Sequence, residues 1–418
     1  MRYKKLSELR GYVQYNSVPQ RWIDMLSVII DERKAILDAL RSNINSAGVY
    51  GFTSMLGPND HKDMLSEQQN IMLSGHYVGI PTELSEIESR AILASKIIQL
   101  SNGGTGISGS RYKDLLDISQ VSCPKVEIDL DASYGSGDVV PAAWWVRSLW
   151  AEDTCWNPGD LISLINGDFI STAFSYLVFE KLLRNFASFV NLTCGLYKQF
   201  IPGVPANYLD IVINSLYETH DGWDSPPQLA VSQRDVFPIL HSVTSSLYSF
   251  ADALEIAYSA HSGNPIFIRD GEKILAKSQS SFLNLELSGS LQSVNSLIAQ
   301  MSASVQRATE IICSENLNPG DNFTASALRL VQFPKVSEAY KLQISLPLPL
   351  NYSGSMSGGV EDFWDLNLIN SREILRKLAI FEKQLQLLEE SIYSSGRKIS
   401  HKINEEEIWS EMLRVQNR

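Results

Sequence analysis

The 418-residue chain carries 47 acidic against 35 basic residues, and its net charge of −12 argues against nucleic acid and anionic membranes as partners. Because 44% of its residues are hydrophobic, the chain is expected to be globular with a sizeable core. The four cysteines lack metal-ligand spacing, so we expect reduced thiols and no metal. No signal-peptide pattern and no window of membrane-spanning length is evident, which predicts a cytoplasmic protein.

Helical periodicity is the dominant pattern along the sequence. The earlier segments predict helices over roughly 19–42, 85–100, 158–165 and 171–190. Apolar steps of three and four then predict three long helices, around Leu240–Ala257, Leu287–Val305 and Ile374–Leu388. Pro238 fits the first turn of the first of these, and a short strand is expected at Gln343–Leu346.

These elements predict a mainly α fold built on a bundle of long helices. No linker or composition break divides the chain, so we expect a single domain over 1–418. Its parts are a loop-rich N-terminal region (1–200), a central long-helix bundle (201–400) and a C-terminal tail (401–418).

The glycine-rich run from Gly104 to Gly109 matches the pattern of dinucleotide-binding loops, and Glu127 or Asp129 lies near the distance expected of a ribose-binding acid. That motif requires a buried strand before it, whereas segment 85–100 has helical periodicity. An NAD-dependent enzyme is therefore the least favoured hypothesis.

The segment Ser133-Tyr134-Gly135-Ser136-Gly137-Asp138-Val139-Val140-Pro141 has a backbone that can react with itself. Attack of the Gly137 nitrogen on the carbonyl of Gly135, followed by dehydration of Ser136, would give a five-membered imidazolone with an exocyclic methylene. Such a ring is an electrophile, which ordinary side chains do not supply. Gly, Ser and Asp are also common turn residues, so the segment alone favours a plain turn.

Further polar residues stand in apolar or glycine-rich surroundings elsewhere in the chain. Each alone has an ordinary explanation as a turn residue, a structural histidine or a surface charge. They are Tyr50, His76, Asn166, Gln228, Arg234 and Glu361.

Together with Gly135-Ser136-Gly137, this series resembles the aromatic amino acid ammonia-lyase and aminomutase family, whose members carry the self-made ring 4-methylideneimidazole-5-one. Three segments look like motifs of that family: Val49–Ser54 its Tyr-Gly-x-x-Thr loop, Gly106–Gly109 its Gly-Tyr-Ser-Gly turn, and Leu164–Gly167 its Leu-Ile-Asn-Gly segment. Asp252–Ile256 and Ser262–Pro265 resemble the helix and turn that follow its Gln-Asp-x-Tyr-Ser-x-Arg motif. Counting back from that turn puts Gln228, Ser232 and Arg234 onto the motif.

The resemblance implies a shortened version of the histidine ammonia-lyase fold (fumarase/aspartase-like) that assembles as a homotetramer. It implies ring formation at Gly135, Ser136 and Gly137 with Asp138 beside them. Tyr50 would act as a phenolate base on the substrate β-carbon, which requires a lowered pKa. The implied substrate-binding residues are His76, Asn166, Gln228, Arg234, Phe282 and Glu361, with Arg234 on the substrate carboxylate.

The substrate implied is an α-amino acid, and histidine is favoured. The pair Gly75-His76 is nearest to the Ser-His pair that accompanies histidine in the family, and the Glu361 carboxylate can pair with an imidazole. The expected activity is that of a carbon–nitrogen lyase. A 2,3-aminomutase of secondary metabolism and a family member that has lost catalysis and serves as a binding or assembly subunit remain alternatives.

Two departures from the family pattern bear on activity. Gly135 replaces the usual alanine, and we expect the added backbone freedom to make ring closure harder to hold. Val231 falls where the family has a tyrosine, so ordinary histidine deamination is expected to suffer. Tyr134 or Tyr77 could take over the task of that tyrosine.

Overall fold

Long helices make up most of the chain in the computed structural model, which describes residues 3–42, 48–54, 66–121, 125–194, 196, 231–234, 236–317, 324–396, 399 and 403–414. The helices are α1 (Lys4–Tyr15), α2 (Gln20–Ser42), α3 (Ser66–Gly75), α4 (Glu86–Leu100), α5 (Gly109–Gln120), α6 (Val139–Leu149), α7 (Asp160–Ile165), α8 (Phe169–Cys194), α9 (Val231–Arg234), α10 (Phe237–Ser259), α11 (Leu285–Glu315), α12 (Ala325–Ile344), α13 (Asn367–Ser394) and α14 (Glu405–Arg414). The mainly α prediction is therefore confirmed.

Three two-stranded antiparallel sheets complete the described part of the chain. Their strands are β1 (Thr82–Glu83) with β2 (Glu127–Ile128), β3 (Ile266–Asp270) with β4 (Lys273–Lys277), and β5 (Ser353–Met356) with β6 (Glu361–Phe363). The pair β1–β2 has Thr82 opposite Ile128, and β3–β4 has Phe267 opposite Ala276. The hairpin β5–β6 pairs Ser353 with Phe363 and Met356 with Glu361, across an irregular register.

Helix α8 lies at the centre of the bundle, in contact with α4, α10, α11 and α13. The stretch Asp160–Thr193, which covers α7 and all but the last residue of α8, is long and apolar enough by length and composition to span a membrane. The expectation that no such window exists was therefore wrong. However, 89% of its apolar window is buried inside the protein. A helix at the centre of a bundle is surrounded by other helices and must be apolar on all sides, whereas a half-exposed helix is apolar on one side only.

The three long helices predicted from apolar spacing correspond to α10, α11 and α13, and all three are confirmed. The apolar residues spaced by three and four along α11, from Leu287 to Val305, are buried. Pro238 lies in the first turn of α10, where its missing N–H leaves no helical bond unmade. The packing of α11 against α10, α12 and α13 explains why its apolar stripe is so regular.

The strand expected at Gln343–Leu346 is wrong. Gln343 and Ile344 form the last turn of α12, and Ser345 caps the end of that helix. Ile344 is fully buried, whereas Gln343 and Ser345 are exposed. Alternation over so few residues fits either a strand or a helix end, and tertiary packing decided between them.

The glycine run after α4 does not have the surroundings of a nucleotide-binding loop. A helix, α4, precedes it where that motif needs a strand, and α4 begins with a capping box formed by Ser85 and Glu88. The run leads into α5, whose N-cap Ser108 bonds the buried Asp160 carboxylate. The NAD-dependent hypothesis is therefore wrong.

The segment that contains Gly135-Ser136-Gly137 lies where several helices begin. It leads directly into α6, and its Asp138 accepts a hydrogen bond from a backbone N–H in the first turn of α8. On its other side it contacts the residues before α13. Helix N-termini present unpaired N–H groups and a partial positive charge, which favours acidic residues such as Asp138 at this place in the fold.

Candidate active site

The loop of Gly135-Ser136-Gly137 runs through left-handed backbone conformations. Gly135 has φ +91°, Gly137 has φ +83° and Asp138 has φ +47°. Glycine adopts such angles without strain, whereas a residue with a Cβ, such as Asp138, is held there at a cost of about 1–2 kcal/mol. The surrounding contacts must therefore hold Asp138 in place.

Asp138 ties this loop to its neighbours. Ser133 donates its hydroxyl to Asp138 Oδ1 at 2.5 Å and accepts the Gly135 N–H at 3.1 Å, so one hydroxyl bridges both ends of the loop. The Ser171 N–H, in the first turn of α8, donates to Asp138 Oδ2 at 3.0 Å. Burial raises the pKa of Asp138, while these donors act against that rise.

Gly135 lies against the backbone before α13. The Asp365 N–H donates to the Gly135 carbonyl oxygen at 3.2 Å. A Cβ atom on Gly135 would come within 2.7 Å of the Leu366 nitrogen and 2.8 Å of Asp365 Oδ1. The expectation that glycine adds freedom here is therefore wrong, because the close approach of this backbone confines the residue.

Asn166 and Phe282 meet the loop at Gly137. A Cβ on Gly137 would lie 3.8 Å from Asn166 Nδ2 and 3.8 Å from the Phe282 ring. Asn166 follows the end of α7, and its side-chain Oδ1 is buried without a hydrogen-bond partner among the described residues. The structure thus brings two predicted site residues to Gly137, one of them with an unmet acceptor.

Lys96 and Gln99 of α4 hold the backbone of Asn166 from behind. Lys96 Nζ donates to the Asn166 carbonyl oxygen at 3.0 Å and to Gln99 Oε1 at 2.9 Å, and it lies 4.3 Å from the centre of the Phe169 ring. Lys96 is fully buried, and desolvation lowers its pKa well below the ordinary value. Both of these acceptors are neutral, and Lys96 serves as a fixed donor to the Asn166 backbone.

Glu361 reaches the loop through Tyr134. The Tyr134 hydroxyl donates to Glu361 Oε2 at 2.5 Å, and Ser357 Oγ donates to the same oxygen at 2.6 Å. Burial and this bond raise the pKa of Tyr134, so its phenol stays protonated at neutral pH. The Tyr134 ring also packs edge-on against Trp364, with ring centres 5.3 Å apart.

Tyr50 lies in a tight turn at 48–54 that packs on α7, the helix directly before Asn166. The contact is close, because a Cβ on Gly51 would fall 2.5 Å from Ile162. The Tyr50 hydroxyl is buried and has no hydrogen-bond partner among the described residues. Burial raises its pKa, which is opposite in direction to the lowered pKa that a phenolate base requires.

His76 and Tyr77 are occupied outside the loop. His76 Nδ1 lies 2.7 Å from the Met72 carbonyl oxygen, one turn back in α3. Tyr77 packs on Trp144 of α6, and the Arg147 guanidinium lies over the Tyr77 ring. Of the two tyrosines expected to replace the missing one, only Tyr134 therefore adjoins the ring-forming triplet.

The motif counted onto Gln228, Ser232 and Arg234 is only partly described. Gln228 lies outside the described residues, and Arg234 is described only as the last residue of α9. Val231 begins α9, which contacts α11, and its side chain is 76% exposed. The role of Arg234 on a substrate carboxylate stays a prediction.

Sequence reasoning missed Asp168, Asp365 and Lys96. Asp168 and Asp365 each come just before a helix and are buried, and burial raises the pKa of Asp168 to about 6. Small acidic residues directly before apolar helical runs are typical N-terminal caps, and this signal was available in the sequence. Lys96 gave none, because a lysine in a buried helix face resembles a solvent-exposed one until the helix is packed.

Backbone strain concentrates at this site. Among the described residues, four other than glycine have a positive φ: Asn16, Asp138, Ser357 and Leu366. Three of them belong to the site, since Ser357 binds Glu361 and Leu366 lies against Gly135. Such outliers cluster at functional sites, where surrounding contacts maintain them.

No group of side chains suited to a metal ion occurs in the described part of the chain.

No family model and no curated protein matches the sequence. The structure, however, is similar to several solved enzymes. Phenylalanine aminomutase from Pantoea agglomerans superposes with a TM-score of 0.72 at 16% identity, over 97% of this chain and 91% of that one. Tyrosine aminomutase from Streptomyces globisporus gives 0.72 at 16% identity, over 94% and 87%. Histidine ammonia-lyase from Trypanosoma cruzi gives 0.71 at 14% identity, over 97% and 86%.

Identities this low show the fold alone. The chain therefore has the fold of the ammonia-lyases and aminomutases, as its motifs predicted.

Proposed function

We propose that this protein is a carbon–nitrogen lyase that acts on histidine or a related aromatic α-amino acid through an imidazolone ring formed at Gly135-Ser136-Gly137. One observation carries the proposal. Two left-handed glycines flank Ser136, and the loop is fixed by Asp138 at one end and the Asp365 backbone at the other. A plain surface turn would not need buried carboxylates and helix N-termini around it.

The residues around the loop suit the ring. The Asn166 Nδ2 amide and the Phe282 ring lie nearest to Gly137, and they offer a polar and an apolar contact to a flat heterocycle. The same Asn166 side chain keeps an unmet acceptor, Oδ1. The ring would supply an electrophilic methylene that bonds the substrate amine and makes it a leaving group. Asn166, fixed by Lys96 and Gln99, would orient the ring and the substrate.

Glu361 supports an imidazole-bearing substrate. Both hydroxyl donors, from Tyr134 and Ser357, reach Oε2, which leaves Oε1 for a substrate N–H. A carboxylate held in this way would be costly beside an unsubstituted phenyl ring but suits histidine.

Proton removal from the substrate is assigned to Tyr50. Its raised pKa within one chain requires a positive charge or ring contact supplied from elsewhere, in keeping with a homotetramer whose sites draw on several subunits.

The intact mass of the purified protein tests the ring directly. We expect a mass lower than that of the sequence by two water molecules, and a Ser136→Ala variant that shows no such deficit. Ser353→Ala, in the exposed hairpin β5–β6, is the control and should keep the deficit. A wild-type protein at its full sequence mass would refute the proposed chemistry.

Product analysis with histidine then separates the remaining possibilities. Urocanate with release of ammonia identifies a lyase, and β-histidine identifies a 2,3-aminomutase. A protein that contains the ring but converts no amino acid would be the lapsed family member, which the aliphatic Val231 favours.

A further inference from the structure

Asp365 holds a position against the loop that the assigned chemistry does not use. Its backbone N–H donates to the Gly135 carbonyl oxygen at 3.2 Å. That oxygen belongs to the carbonyl group that the Gly137 nitrogen must attack. A donor fixed on it before reaction stabilises the negative charge that develops there, as oxyanion holes do in acyl transfer.

We propose that Asp365 is the positioning residue for ring closure, with its carboxylate fixing its own N–H on the Gly135 carbonyl oxygen. This inference rests on the proposed function, since it concerns how the ring forms. It assigns to Asp365 no contact with the substrate.

The side chain of Asp365 is well placed for that task. Asp365 is 1% exposed, and its Oδ1 accepts the Asn367 N–H at 3.0 Å. Its Oδ2 accepts the Asn284 N–H at 3.0 Å and Asn367 Nδ2 at 2.9 Å. Asn284 precedes α11 and Asn367 begins α13, so the carboxylate fastens the loop contact to two long helices.

The Asp365 backbone is held as firmly as its side chain. Ser288 Oγ of α11 lies 2.8 Å from the Asp365 carbonyl oxygen and 2.7 Å from Asn367 Oδ1, so its one proton is shared between these two acceptors. Leu366 follows in a left-handed conformation with φ +59°. These contacts fix the orientation of the Asp365 N–H, which points at the Gly135 carbonyl oxygen.

Ring closure balances as the loss of two waters. The Gly137 nitrogen bonds the Gly135 carbonyl carbon, and its proton passes to the Gly135 oxygen, which becomes a hydroxyl. That hydroxyl leaves with the proton of the Ser136 nitrogen as the first water, and a carbon–nitrogen double bond forms. The Ser136 hydroxyl leaves with the Ser136 α-proton as the second, which forms the methylene. The Asp365 N–H acts at the first of these steps, where the oxygen carries charge.

The same contact explains why residue 135 is glycine in this chain. The space that an alanine methyl would need is filled by the Leu366 nitrogen and Asp365 Oδ1, at 2.7 and 2.8 Å from the position of a Cβ. Glycine at 135 and the approach of Asp365 are therefore a coupled pair: the missing methyl admits the donor.

The rate of ring closure in Asp365→Asn tests the proposal. Asparagine offers an acceptor on one side only, while donors approach Asp365 on both oxygens, so the segment must shift. Newly translated protein would be followed by intact mass over time. Removal of one oxyanion donor costs about 10²–10³ in rate, so misalignment of the donor should slow the loss of two waters by at least about tenfold.

Asp160→Asn is the matched control for that variant. Asp160 is equally buried and also accepts backbone and side-chain donors, from Ser108 and Asn157, but it lies at the start of α7, away from the Gly135 contact. This variant should lose stability and still close the ring at the wild-type rate.

Ser288→Ala keeps the question answerable if Asp365→Asn does not fold. It removes one hydroxyl that anchors the Asp365 backbone, and its control is Ser302→Ala, a buried serine on the same helix that bonds Gln384. We expect slower ring closure in Ser288→Ala than in Ser302→Ala at similar melting temperatures. If folded Asp365→Asn or Ser288→Ala closes the ring at the wild-type rate, the role of Asp365 is overturned and the proposed function still stands. A wild-type protein without the mass deficit would overturn the proposed function itself.

Discussion

At the scale of single residues, the site depends on one missing methyl group. Gly135 stands where the family that this chain resembles has alanine, and the sequence alone suggests a loop with more backbone freedom. The structure instead places Asp365 and Leu366 in the space that a side chain at 135 would take. A substitution back to alanine is therefore expected to harm the fold and to restore nothing.

Gly135→Ala should lower the free energy of unfolding by about 2–4 kcal/mol, the sum of left-handed backbone strain and overpacking. Gly271→Ala is the control, because Gly271 has φ +60° in the β3–β4 turn with open space around it. That variant should lose only about 1 kcal/mol, since it bears the strain without the clash. Urea denaturation measures both, and equal losses would contradict the close packing of Asp365.

Residue identity predicted only part of this arrangement. Gly137, Asp138 and Asn166 were found because they stand in short motifs, and the structure brings them together. Asp365 was missed because its importance lies in a contact across 230 residues of chain, which no local pattern records. The direction of the Tyr50 pKa was also beyond the sequence, because it depends on how deeply the phenol is buried.

At the scale of elements, the site is an assembly of helix beginnings. Asp138 precedes α6, Asp168 precedes α8, and Asp365 lies two residues before α13. Each carboxyl group is buried and each has a raised pKa because of desolvation. Helix N-termini favour negative charge, which lets three acidic groups share so small a region.

Asp168 gives this arrangement a pH dependence. Its pKa is about 6 in the folded protein, against 3.8 ordinarily, so the folded state binds the proton more tightly. The stabilisation is complete below about pH 4 and is lost as the pH rises through 6, and it amounts to about 2–3 kcal/mol.

Asp168→Asn should remove this pH dependence. The amide oxygen can still accept the Ser262 hydroxyl, which now bonds Asp168 Oδ1 at 2.6 Å. The difference in unfolding free energy, wild type minus variant, should fall between pH 4 and 7 in urea titrations. A constant difference would show that Asp168 titrates at its ordinary pKa.

Helices were predicted well because their signal repeats along the chain. Apolar spacing over many turns specified α10, α11 and α13, which the bundle then buried. The four residues Gln343–Leu346 carried too short a pattern, and their placement depended on what α12 packs against. The length of a pattern, rather than its strength at any residue, decided which predictions held.

At the scale of the whole molecule, some apolar side chains remain exposed in the single chain. Val360, next to Glu361, is 70% exposed, and Val231 on α9 is 76% exposed. Tyr50 and Asn166 meanwhile keep buried polar atoms without a partner among the described residues. Partner subunits of a homotetramer would cover the exposed apolar side chains and would supply hydrogen-bond partners to the buried polar atoms.

We expect sedimentation velocity to give four times the chain mass of 46.7 kDa. Val360→Asp should weaken this assembly, since a buried charge without a partner is costly at an interface. Val28→Asp, on the exposed side of α2, is the control and should leave the assembly intact. A wild-type protein that sediments as a monomer would contradict the homotetramer.

The parts that surround Gly135-Ser136-Gly137 come from distant places in the chain: Asn166, Phe282 and finally Asp365. During synthesis the triplet leaves the ribosome long before its last neighbour exists. A chain that stops short of Asp365 would thus never acquire the electrophile by the proposed route. The reactive group would appear only in a subunit that has already folded.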